Sequence, residues 1–217
     1  MKIRILLADD HKIMRDGLRQ LLETQPDIEV VGEAEDGRRA VQLARELKPN
    51  VALLDVTMPD LNGIEAAHQI LTDHPTIKII ALSMHSDQRF VIKMLKAGAK
   101  GYLLKHAAFD ELVQAIHLVV AGKAYLSPQI IGPVIDNYLE RLSDDEESVG
   151  QALTSREREV LQLLTEGKNV REAASELCVS TKTIEAHRRQ IMTKLGINNL
   201  AELTKYAVRE GYTSLDV

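Results

Sequence analysis

The sequence predicts an α/β domain with a parallel sheet covered on both faces, followed by a separate all-α domain. Through about residue 122, five short apolar runs alternate with five stretches of helical periodicity, the pattern of right-handed βαβ crossovers. The central run, Val51-Ala52-Leu53-Leu54, is apolar at successive positions, as a strand buried on both faces must be. Beyond Lys123 strand signals stop, and four helical patterns follow a polar run, Ser143-Asp-Asp-Glu-Glu-Ser148.

In order, Ile3–Ala8 reads as a strand, then a helix with Ile13, Leu18, Leu21 and Leu22 on one side, closed by Pro26. Ile28–Ala34 is the second strand, and Ala40, Leu43, Ala44 and Leu47 give the next helix its apolar stripe before Pro49. The Val51 strand ends at Asp55, and Pro59 stops regular structure from continuing. A helix from about Gly63 to His74 leads to a strand at Lys78–Ser83, and a helix at Asp87–Ala97 closes near Gly98. Gly101–Leu104 is the fifth strand, and a fifth helix from Phe109 closes on Gly122. From Ser127-Pro128 a further helical pattern carries Ile130, Ile131, Val134, Ile135 and Tyr138 into the polar run. The expected division is 1–122 for the α/β domain, 123–149 for a linker including a helix, and 150–217 for the helical domain.

The 217 residues suit two domains, and 45% apolar content with 3% aromatic suggests aliphatic, helix-rich cores. Net charge is −5, which excludes a binder basic throughout. The charge is uneven: residues 129–152 carry 1 Lys or Arg against 6 Asp and Glu, and residues 153–217 carry 10 against 9. The single cysteine, Cys178, forms no internal disulfide and fits a reducing compartment. The N-terminal run is too short for a signal peptide, and no apolar run approaches the roughly 20 residues that span a bilayer. A cytoplasmic protein with no membrane partner is expected.

Strand ends are where the chemistry collects. Asp9 and Asp10 close the first strand, Asp55 the third, Ser83 the fourth and Lys105 the fifth. In a parallel sheet these ends lie along one edge, where open α/β sheets bind ligands. Three carboxylates together raise one another's pKa unless a cation neutralises them, and a hard ion such as Mg²⁺ suits such donors. With the ion seated, Asp55 can attack phosphorus while Lys105 and the Ser83 hydroxyl hold phosphoryl oxygens.

Leu-Ala-Asp9-Asp10-His, Leu-Leu-Asp55-Val-Thr-Met-Pro59-Asp-Leu-Asn-Gly63, Ala-Leu-Ser83 and Lys-Gly101-Tyr102-Leu-Leu-Lys105 resemble the receiver domain of two-component response regulators, over about residues 1–122. The resemblance implies a flavodoxin-like sheet of five strands in order 2-1-3-4-5. It also implies Asp55 as phosphoacceptor, Asp10 as direct ligand of Mg²⁺ (with Mn²⁺ as a substitute), Asp9 as a water-mediated ligand, and Thr57 as a ligand through its carbonyl. Ser83 and Lys105 would contact the phosphoryl group, and Tyr102 would swing inward with Ser83. Asn62 stands where many relatives have Asp.

In the C-terminal part, Thr154-Ser-Arg-Glu157 is a capping box opening a helix with Val160, Leu161, Leu163 and Leu164 as core. Val170–Leu177, a tight turn at Cys178-Val179-Ser180, and Thr181–Leu195 form two helices at helix-turn-helix spacing, and Asn199 caps a fourth. Ile184, Ile191 and Leu195 should face inward. Thr181–Lys194 carries Lys182, Arg188, Arg189 and Lys194 against Glu185 alone. Arg189 suits base edges; Lys182, Arg188 and Lys194 suit phosphates. Leu153-Thr-Ser-Arg-Glu-Arg-Glu-Val160-Leu, Ser180-Thr-Lys-Thr-Ile-Glu-Ala-His187-Arg and Lys194-Leu-Gly196 resemble the LuxR-type, NarL/FixJ-subfamily DNA-binding domain. That resemblance implies Glu185, Ala186 and Arg189 in the major groove, with Thr183 beside them. It also implies pairing of two copies through Leu200, Leu203 and Ala207. Ala173 replaces a usual Ile and Cys178 a usual Gly, so looser packing under the first two helices is expected.

The resulting expectation is a transcription factor charged at Asp55 by a sensor histidine kinase, acting as a homodimer on double-stranded promoter DNA, with RNA polymerase a further partner. Enzyme rivals fail on residues. A phosphatase of this kind needs a carboxylate where Thr57 stands, leaving only slow self-dephosphorylation, and a dinucleotide oxidoreductase needs a glycine-rich turn after the first strand. A phosphorylation-independent regulator with a vestigial site is the non-enzymatic rival.

Overall fold

Strands this short hold only by pairing, and six of them do. The computed structural model describes residues 2–84, 86–132, 134–135 and 153–213. Its strands are β1 (Ile3–Ala8), β2 (Ile28–Ala34), β3 (Val51–Asp55), β4 (Lys78–Ser83), β5 (Gly101–Leu104) and β6 (Tyr125–Leu126). They form one sheet in order β2-β1-β3-β4-β5-β6, parallel at every pairing. Interleaved are α1 (Lys12–Glu23), α2 (Gly37–Leu47), α3 (Gly63–Asp73), α4 (Gln88–Lys96) and α5 (Phe109–Val120). The expected five-stranded sheet is thus corrected to six. The added strand is two half-buried residues long, too short for any periodicity to announce it.

Side-chain alternation along each strand builds two cores. Leu6, Ala8, Ala52, Leu54, Ile79 and Ala81 face α2, α3 and α4, while Ile5, Leu7, Val51, Leu53, Ile80 and Leu82 face α1 and α5. Ile13 and Leu21, expected on the buried side of α1, are 90% and 45% exposed. Nine residues at 100° each put Ile13 on the opposite side of the helix from buried Leu22. The stretch expected to begin the linker carries both a strand and the expected helix. Tyr125–Leu126 pairs with β5, residues 128–132 and 134–135 are helical, and Ile130 is fully buried in the core that contains Tyr102. Tyr138 and the Ser143–Ser148 run lie outside the described residues.

The chain divides into two units, Met1–Asp145 and Glu146–Val217. The described helices of the second are α6 (Ser155–Thr165), α7 (Val170–Glu176), α8 (Thr181–Leu195) and α9 (Leu200–Arg209), around Leu153, Val160, Leu161, Leu163, Ile184, Ile191 and Leu203. The Thr154–Glu157 capping box is present, and Asn169 with Glu172 forms a second one. Cys178 has φ 51°, a left-handed backbone that glycine adopts without cost. A non-glycine residue here costs about 1 kcal/mol of backbone strain at an exposed position.

Candidate phosphoryl-acceptor site and nucleic-acid interface

Parallel pairing brings the C-terminal ends of β1, β3, β4 and β5 to one edge. Asp55 ends a strand buried at all five positions, so its carboxylate is 1% exposed. The loop that follows must fold back tightly. A Cβ added to Gly63 would lie 1.8 Å from the Asp55 carbonyl oxygen, so only glycine lets α3 start against the Asp55 backbone. Asn62 caps that helix, accepting a 2.9 Å hydrogen bond from the Glu65 N–H.

Lys105 lies between two buried carboxylates. Its Nζ donates to Asp55 Oδ2 at 2.7 Å and forms an ion pair with Asp9 Oδ2 at 2.8 Å. All three side chains are at most 4% exposed. Burial opposes charge on Lys105, but Asp55 and Asp9 outweigh it and hold its pKa above the ordinary value. Burial pushes Asp55 up to about 7, Lys105 working against the rise and Asp9 adding to it. Asp55 Oδ1 also accepts from the Thr57 N–H at 3.3 Å. Tyr102 is fully buried with its hydroxyl hydrogen-bonded to Ser83, and burial raises its pKa to about 12.

Asp9, Asp10, His11 and Asp55 each place a ligand atom within 4.8 Å of the others. Asp9 and Asp55 share the single Lys105 ammonium, and Asp10 adds a third carboxylate beside them. That donor set fits a hard divalent cation. Sequence reasoning does not single out His11, whose Nδ1 is 2.7 Å from Asp10 Oδ1 and 3.3 Å from Asp9 Oδ1. Nothing in a lone histidine after two aspartates signals it.

In the second unit Ser180 caps α8 through the Thr183 N–H, and the two hydroxyls are 2.8 Å apart, so Thr183 is tied to the turn. Ile184 and Ile191 are buried; Lys182, Glu185, Arg188 and Arg189 stand at or near the surface, as the burial pattern along α8 shows, and Ala186 lies half-buried among them. Lys194 is a different case. Its Nζ donates to Glu157 Oε2 at 2.6 Å, and that carboxylate is 3% exposed, so the side chain expected on a DNA phosphate ties α8 to the capping box. Leu203 and Ala207, expected to pair two copies, are fully buried in their own unit's core, and only Leu200 (51% exposed) stands at the surface. Helix α9 presents Ala201, Glu202, Lys205 and Arg209 beside Leu200 instead. Among the described residues no helix is long and apolar enough to cross a membrane.

A carboxylate-and-lysine cluster at the strand ends of a parallel sheet, joined to a helix-turn-helix, defines a two-component response regulator. Residues 5–117 match the family model described as the response regulator receiver domain, and residues 151–207 the one described as bacterial regulatory proteins, luxR family. The chain is similar to response regulator GacA of Pseudomonas protegens, 41% identical over 96% of this chain and 97% of that protein. It is similar also to the oxygen regulatory protein NreC of Staphylococcus aureus, 37% identical over 96% and 98%. Among solved structures, a LuxR-family response regulator from Aurantimonas matches with TM-score 0.61 and 38% identity, over 64% of this chain and 99% of that one. The two-component response regulator RcsB in complex with DNA matches with TM-score 0.58 and 30% identity, over 95% and 98%. The chain belongs to the NarL/FixJ-type response regulators, a receiver domain followed by a LuxR-family helix-turn-helix domain.

Proposed function

We propose that Asp55 accepts a phosphoryl group from a sensor histidine kinase and that its phosphorylation state sets how the second unit engages promoter DNA. The observation that carries this reading is Lys105 bridging Asp9 and Asp55 in a buried pocket. An Asp55 carboxylate oxygen forms the new P–O bond as the P–N bond to the kinase histidine breaks, and the imidazole leaves with the electron pair and takes up a proton. Lys105 then turns from the Asp55 carboxylate to a phosphoryl oxygen, and the Ser83 hydroxyl donates to another. Asp10, Asp55 and the Thr57 carbonyl would hold Mg²⁺, or Mn²⁺ in its place, with Asp9 reaching it through water; the ion supplies charge neutralisation at the phosphoryl oxygens. The fold's part is to hold Asp9, Asp55 and Ser83, each at most 1% exposed, in fixed places at the strand ends.

On the output side, Arg189 reads base edges in the major groove beside Glu185 and Ala186, while Lys182 and Arg188 contact phosphates. Two copies act on paired half-sites; RcsB, for its part, is solved as two dimers bound to two parallel DNAs. Incubation with Mg²⁺ and a small phosphodonor, read by intact mass, should add one phosphoryl group to wild type and none to Asp55→Asn. An unmodified wild type would overturn the reading. Arg189→Ala should lose preference for the specific site, about 1–3 kcal/mol of discrimination, in a binding competition against unrelated DNA. Equal discrimination by both proteins would remove Arg189 from base contact.

A further inference from the structure

We infer that β6 and the residues after it form a strap, latched by Ser127 and Glu111, that transmits the state of Tyr102 to the chain leading into the DNA-binding unit. The inference rests on the proposed role of Asp55 and goes beyond it.

One residue meets both ends of the path. The Tyr102 hydroxyl bonds Ser83 at the phosphoryl site, while its backbone is the partner of β6. The register is Gly101↔Tyr125 and Tyr102↔Leu126. The Tyr125 N–H donates to the Lys100 carbonyl at 2.9 Å and the Ser127 N–H to the Tyr102 carbonyl at 3.0 Å. Beyond this pair the strap is fixed by side chains. Ser127 is fully buried, and its Oγ donates to Glu111 Oε1 on α5 at 2.5 Å. Ile130 is 0% exposed and lies in the same core cluster as Tyr102, with Leu126 and Val134 packed against that cluster.

A two-residue strand adds little hold of its own, so the strap depends on the latch and on the ring that fills the core beside it. An edge strand held this way has two discrete arrangements, paired or released, which is what a switch needs. Tyr102 is already inward and bonded to Ser83. When the Ser83 hydroxyl turns to a phosphoryl oxygen that bond is exchanged, disturbing both the core cluster Tyr102 shares with Ile130 and the carbonyl holding Ser127. Release frees residues 125–132 and 134–135, each adding up to about 3.5 Å of reach to the tether before the DNA-binding unit. A longer tether lets two copies engage paired half-sites with less strain.

Ser127→Ala and Glu111→Ala break the latch without touching the phosphoryl site. In the unphosphorylated full chain, amide exchange at Tyr125 and Ser127 should rise about tenfold in either variant, the scale of one charge-assisted hydrogen bond. DNA affinity should rise with it, and the rate of phosphorylation at Asp55 should stay at the wild-type value. In wild type, a small phosphodonor with Mg²⁺ should raise the same two exchange rates, and in Asp55→Asn it should not. Intact mass keeps the two readings apart. Phosphate present with exchange at 125 and 127 unchanged overturns the strap and leaves Asp55 standing. Phosphate absent overturns the role of Asp55, and the strap is then decided by the latch variants alone. DNA affinity and exchange both at wild-type values in Ser127→Ala and Glu111→Ala would end it.

Discussion

Asp55 is held at a cost that its own pKa records. Its ordinary value is 3.8, and burial, opposed by Lys105 and reinforced by Asp9, pushes it up to about 7 in the folded chain. The folded state therefore binds this proton more tightly than the unfolded state, so metal-free stability should fall as pH rises from about 4 through about 7. Asp55→Asn should flatten that decline and stabilise the receiver above neutrality. Thermal unfolding in chelator between about pH 5 and about pH 8 checks it; parallel curves for the two proteins would show that Asp55 is not the source. Cys178 offers a second test at this scale. With φ 51° and an exposed side chain, Cys178→Gly should raise stability of the second unit by about 1 kcal/mol in urea unfolding, since glycine relieves the left-handed strain. An unchanged or lowered urea midpoint would contradict the strain reading.

Elements explain which residues are legible in the sequence and which are not. The strands and their carboxyl-end residues can be read because apolar runs bounded by Asp, Ser and Lys leave few ways to arrange a parallel sheet. Capping at Thr154 is legible for a similar local reason. Ile13 is misplaced by the sequence pattern because counting apolar residues ignores where each falls around a helix. β6 escapes it because two residues have no period. Lys194 shows the harder case. A basic residue on a helix-turn-helix invites a phosphate, yet its partner Glu157 lies 37 positions away, and no local pattern reports that distance. Lys194→Ala should accordingly destabilise the second unit by about 1–3 kcal/mol, by taking the cation from the buried Glu157 carboxylate and leaving it only the capping-box N–H of Thr154. Glu157 is held below its usual pKa by Lys194 and Thr154 despite burial, so this contribution is present above the ordinary 4.5 and is lost as pH falls through the lower folded value. Unfolding of the variant at neutral pH and in acid checks both statements, and a wild-type midpoint at neutral pH would return Lys194 to the DNA surface. Leu203→Ala belongs to the same class: it should cost about 2–5 kcal/mol of stability, the scale of a core truncation, which unfolding of the purified variant measures directly.

At the scale of the whole molecule, two units with separate cores share one chain. Unfolding should show two transitions that respond to different changes. Mg²⁺ with a phosphodonor should raise the first alone, because ligands stabilise only the unit that binds them, and Lys194→Ala should lower the second alone. Calorimetry of the full chain reports both. The physics then reduces to one coupling: a buried carboxylate in the first unit must alter what the second does. The direct measurement is the affinity of the full chain for its own promoter DNA, by fluorescence anisotropy, with and without the phosphodonor and Mg²⁺. Wild type should bind tighter after treatment while Asp55→Asn stays where it began. Equal affinity of treated and untreated wild type, with phosphate on Asp55 verified by mass, would contradict the account.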